Sequence, residues 1–96
     1  MTTDRKEAVT ELLLATEAAH GVFETTELNG VYDGEWPRWY AAYAVEHGIA
    51  ELVGHVVTAD QLAQFLAATF KEFEQADPKP NDPWAVYTAG RIVADL

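Results

Sequence analysis

Cysteine is absent, so no disulfide can staple this fold and no thiolate can serve as nucleophile or soft-metal ligand. Basic residues are scarce: six Lys and Arg face sixteen Asp and Glu, a formal charge of -10. Such a field repels phosphate backbones and anionic lipid heads, so neither nucleic acid nor a membrane surface is an expected partner. No apolar run approaches the roughly 20 residues that would span a bilayer. The opening Met1-Thr2-Thr3-Asp4 lacks the basic start and apolar stretch of a secretory signal, and a cytoplasmic location is expected. There is no glycine-flanked serine, no triad-like histidine spacing and no phosphate-cradling loop, which disfavours an enzyme. No cofactor is implied.

What the chain does hold is enough apolar material to fold. A hydrophobic share of 49% over 96 residues suits one domain spanning residues 1–96, with a single core. The pattern is all-α: a compact four-helix domain with an ordered loop between the first two helices. The first helix is expected from about Asp4 to Glu24, N-capped by Thr3. Val9, Leu12, Leu13, Thr16, Ala19, His20 and Phe23 fall on one stripe at helical spacing. Gly21 is a weak point that the helix is expected to pass through. From Thr25 to Glu35 the turn dipeptides Asn29-Gly30 and Asp33-Gly34 mark a loop, pinned by Leu28, Val31 and Tyr32; a short hairpin is the rival reading.

Trp36-Pro37 starts the second helix, since proline at the first helical position is preorganised and loses no needed hydrogen bond. Its stripe of Trp36, Trp39, Tyr40 and Tyr43 is expected to anchor the core, with roughly 3–5 kcal/mol lost on truncating a buried tryptophan. Gly48 permits a bend, and Ile49 to Val53 reads as a short continuation. Thr58-Ala59-Asp60-Gln61 matches a capping box, which opens the third helix with Leu62, Phe65, Leu66, Thr69, Phe70 and Phe73 on one face. Asp82-Pro83 is expected to start the fourth helix as cap and first residue. That helix is apolar on two sides, Trp84 and Tyr87 against Val86 and Val93, and so calls for two neighbours. One of them could be a second copy of the chain, hence the expectation of a homodimer.

Glu17, His20 and Glu24 lie on one edge of the first helix, and Glu-x-x-His is half of the pattern that helical bundles use for metal. A metal site would need a second copy or further ligands, for which Glu46, His47, Glu51 and His55 are candidates. A partly buried His20 hydrogen-bonded to Glu17 or Glu24 is the plainer reading. Tyr32, Trp36, Trp39, Tyr40 and Tyr43 could line a pocket, though aromatic stripes usually form core. Trp84, Tyr87 and Arg91 could form a contact surface, with Arg91 paired to a carboxylate or stacked on a ring.

The segments Ala19-His20-Gly21-Val22-Phe23-Glu24 and Leu28-Asn29-Gly30-Val31-Tyr32-Asp33-Gly34-Glu35-Trp36-Pro37-Arg38-Trp39-Tyr40-Ala41 resemble those of a group of small uncharacterised helical proteins. The resemblance spans most of the chain and implies a stand-alone helical domain. It brings no activity with it, but it concentrates attention on His20, Glu24, Asp33, Trp36 and Trp39.

Three functional readings follow. The first is a non-enzymatic interaction or accessory domain with a protein partner or a second copy. The second is a small-ligand or metal binder around Glu17, His20 and Glu24. The third is an acidic mimic of nucleic acid.

Overall fold

A computed structural model describes residues 5–78 and 80–96. The sequence expectations for Thr3 and Asp4 fall outside the described residues. Among the described residues five helices follow one another: α1 (Arg5–Glu27), α2 (Trp36–Glu46), α3 (Ile49–Val53), α4 (Ala59–Gln75) and α5 (Trp84–Asp95). No strand occurs among the described residues, which removes the hairpin. None of these helices is long and apolar enough to cross a membrane.

The expected count of four becomes five because of one backbone conformation. His47 closes α2 by donating its N–H to the Tyr43 carbonyl, and Gly48 then adopts φ +95°. That left-handed geometry is open to glycine and costly for other residues, so Ile49–Val53 starts anew as α3 instead of prolonging α2. The end of α1 uses the same left-handed device, starting two positions after Glu27. Asn29 and Gly30 take φ 53° and 81°, which lets the Leu28 and Gly30 N–H groups both donate to the Glu24 carbonyl. Gly21 lies within α1 as expected.

The Thr58 capping box is present in full. The Thr58 hydroxyl accepts from the Gln61 N–H at 3.1 Å, and the Gln61 side chain accepts from the Thr58 N–H at 3.5 Å. Replacing Thr58 with Ala should cost about 0.5–2 kcal/mol, read as a lower urea midpoint with an unchanged slope. At α5 the expectation is off by one residue, since Pro83 is the N-cap and Trp84 the first helical residue.

The four longer helices close into a ring, α1 against α2, α2 against α4, α4 against α5 and α5 back against α1, with α3 packed on α1 and α2. Both neighbours that α5 calls for thus come from its own chain. Val93, 39% exposed, is what remains uncovered of its second apolar side. The core holds Val9 and Leu13 from α1, Leu62 and Leu66 from α4, and Ile92 from α5, with Ile49, Val53 and Val57 at one end. From α2 the buried residues are Ala41 and Ala44, not the aromatic stripe. Small side chains there let the helices approach closely, while Trp36, Trp39, Tyr40 and Tyr43 are left half-buried at the margin. The cost expected for truncating a buried tryptophan therefore does not apply in full to them.

Among the described residues four polar side chains are buried: Thr16, His20, Thr69 and Thr88. Thr16 and Thr69 donate their hydroxyls to carbonyls one turn back, at 2.7 and 3.0 Å. The Thr88 hydroxyl finds no hydrogen-bond partner among the described residues, although the residue is fully buried. Thr88→Val keeps the shape and removes the orphaned group, so it should raise the unfolding free energy by about 1 kcal/mol. Thermal unfolding of the two proteins would check it, and a destabilised Thr88→Val would show that the hydroxyl is in fact satisfied.

Candidate functional site

One end of α1, the loop that follows it and the starts of α2 and α5 converge on a cleft of about 350 Å³, floored in part by Phe70 of α4. His20 and Glu24 reach it from α1, Tyr32 and Asp33 from the loop, Trp36 and Tyr40 from α2, and Trp84 from α5. Helical spacing explains the pairs: His20 and Glu24 are one turn apart, as are Trp36 and Tyr40. The loop's turn chemistry supplies the rest. Asp33 accepts the Glu35 N–H on Oδ1 at 2.9 Å, a local Asx-type turn that leads the chain into α2.

The polar side of the cleft is organised around His20, which is only 5% exposed. Its Nε2 lies 2.9 Å from Asp33 Oδ2, so the partner is Asp33 and not Glu17 or Glu24 as the helix spacing suggests. A carboxylate can only accept, so Nε2 is the nitrogen that carries a proton in this contact. Glu24 Oε1 stands 3.8 Å from His20 Nδ1, beyond hydrogen-bond length, while its Oε2 accepts the Asp33 N–H at 3.2 Å. Glu24 thereby fixes the loop backbone, and Asp33 in turn fixes the imidazole.

The electrostatics follow from this packing. The hydrogen bond from His20 holds the Asp33 carboxyl below its usual range, helped by the Glu35 N–H. Burial raises the Tyr40 hydroxyl to about 12, and the negative charges of Glu17 and Glu24 push the same way. Glu17 is half-buried on α1, and its carboxyl is raised by desolvation. It does not line the cleft.

The aromatic walls meet at steep angles. Trp36 contacts Tyr40 at 5.0 Å and 71°, Phe70 at 5.2 Å and 72°, and Trp84 at 5.8 Å and 84° between ring centroids and planes. Tyr40 and Trp84 are 5.8 Å apart at 77°. These are edge-to-face contacts, favoured because ring edges are positive and faces negative.

The sequence candidates thus separate into groups. His20, Glu24, Tyr32, Trp36 and Trp84 share the cleft. Trp39 and Tyr43 sit beside it as a ladder: Trp39 packs on His20 and Phe23, Tyr43 stacks on Trp39 at 5.6 Å, and His47 stacks on Tyr43 at 3.9 Å. Tyr87 and Arg91 belong to another surface. There Arg91 is held by Glu72 at 2.9 Å, Asp95 at 2.7 Å and the Tyr87 hydroxyl at 3.3 Å, and these bonds raise its pKa further. Arg91 is paired with carboxylates, one of its two expected modes.

Tyr40 and Asp33, which the pocket reading and the resemblance already singled out, also line the cleft, and Phe70 completes it from outside the candidate set. Tyr40 carried a usable signal, one turn from Trp36. Phe70 looked like any other member of the α4 stripe, while the residues around Asp33 themselves marked only a turn, and it was the resemblance that pointed to it. Of the further metal candidates, Glu46, His47, Glu51 and His55 are all exposed, and the His47 and His55 Nδ1 atoms contact backbone carbonyls. Among the described residues no group of three or more His, Asp or Glu is placed to hold a metal ion.

No protein-family model, curated protein or solved structure matches this chain.

Proposed function

We propose that this protein is a non-enzymatic binding domain that receives one group of a small molecule or a protein partner in the cleft between α1, α2 and α5. The observation that carries the reading is the cleft itself: about 350 Å³, walled by aromatic rings, with Glu24 and Asp33 converging on its polar side. Concave, largely apolar sites with a few fixed polar groups are where proteins hold ligands. Turnover is disfavoured by the lining, which among the described residues offers no serine, threonine, cysteine or lysine as a nucleophile.

A panel of small cationic, neutral and anionic organic fragments, followed through the three indole N–H signals by nuclear magnetic resonance, tests this. At least one fragment class should shift the Trp36 and Trp84 signals in a saturable way, and Phe70→Ala should weaken it. A panel in which no class perturbs either signal would remove the reading.

A further inference from the structure

The charge and shape of the cleft define which fragment class that should be. Resting on the binding reading above, we infer that the cleft takes an alkylammonium group, either of a free amine or of a lysine side chain on a partner.

Three observations converge. First, the walls are rings, with Trp36, Tyr40 and Trp84 meeting one another at 71–84° and forming a corner instead of a stacked slab. Ring faces carry the negative side of the quadrupole, and a cation near them is attracted in proportion to its freedom from water. Second, Glu24 and Asp33 line the same space, and among the described residues no lysine or arginine lines it. The nearest compensating group is His20, placed against Asp33 at 2.9 Å with Glu24 at 3.8 Å, so two carboxylates share at most one positive charge. Third, the field at the cleft wall is negative, since Glu17 and Glu24 both act against ionisation of Tyr40.

The rival guests fit less well. An anion would meet two carboxylates and a chain of net charge -10. A neutral apolar group would cover Glu24 and Asp33 without compensating them. A bare divalent ion would have to exchange its water for ring faces, and the carboxylates and imidazole are not arranged to ligate one. An alkylammonium ion spreads its charge over C–H groups that can lie on rings, and it needs no inner-sphere ligands.

The decisive comparison is choline against its neutral isostere 3,3-dimethyl-1-butanol, titrated into the intact protein. Choline should shift the Trp36 and Trp84 indole signals more than that of Trp39, and bind about tenfold more tightly than the isostere. Glu24→Gln, which keeps the oxygen that accepts from Asp33, should weaken choline about threefold to tenfold and leave the isostere unchanged. Titrating Nα-acetyl-lysine amide and its trimethylated form then separates the sources. Tighter binding than choline supports a partner's side chain, and weaker binding supports a free amine. Equal affinity for choline and the isostere, or an unaffected Glu24→Gln, would overturn the cationic guest while leaving a ligand cleft in place. If every cationic probe fails while a neutral or anionic fragment binds, the inference falls alone; if nothing binds, the binding reading falls with it.

Discussion

Leu66→Ala is expected to lower the unfolding free energy by about 2–5 kcal/mol. Leu66 is fully buried at the centre of α4, the helix that touches both α2 and α5 around the ring. Its removal leaves a void facing two helices, and the small alanines on α2 and α5 that line up with the core offer little side chain to collapse into it. Domains of this size hold only about 5–15 kcal/mol in total. The melting temperature should therefore fall by roughly 10 °C or more. Urea unfolding at constant slope would measure the loss, and a change below about 1 kcal/mol would mean that α4 does not close the core in the way described.

Asp33→Ala should cost about 2–3 kcal/mol at neutral pH, although Asp33 lies in a loop and truncation removes no part of the apolar core. The substitution leaves His20, 5% exposed, with an unpaired Nε2, and it also deletes the acceptor for the Glu35 N–H at the entry to α2. The pH dependence has a definite sign. Because the His20 hydrogen bond holds the Asp33 carboxyl below its ordinary value of 3.8, the contact's contribution is complete above that value in the folded protein. It is lost as pH falls through the lowered folded value, when the carboxylate is protonated. The stability gap between the parent and Asp33→Ala should thus shrink as pH falls below about 4. A double-mutant cycle with His20→Leu isolates the pair, with a coupling of about 1–3 kcal/mol expected. Additive effects would show that His20 and Asp33 do not act together.

Much of the fold was legible because the relevant interactions span a single helical turn. The Thr58–Gln61 box, the Trp36-Pro37 start and the Asn29-Gly30 turn each depend on neighbours within four residues, and each appears where the residues place it. The α1 stripe was equally readable, with Val9, Leu13, Thr16 and His20 buried at helical intervals. The site was half legible. Helix periodicity paired His20 with Glu24 and Trp36 with Tyr40, but it gave no means of seeing that Phe70, thirty-four positions beyond Trp36, stands 5.2 Å from that indole.

Sequence by itself determined an acidic, cysteine-free chain of amphipathic helices with its caps and turns, since charge, composition and local hydrogen bonding need no partner from elsewhere in the chain. Tertiary structure alone decided that alanines, not tryptophans, occupy the α2 side of the core, because helix separation is set by what the opposing helices bring. It also decided that His20 is matched to Asp33 across thirteen residues, because a loop pinned by Glu24 delivers that carboxylate to the ring more closely than the same helix can. Periodicity along one helix lists the groups available on a face; which of them meet depends on the packing of the others.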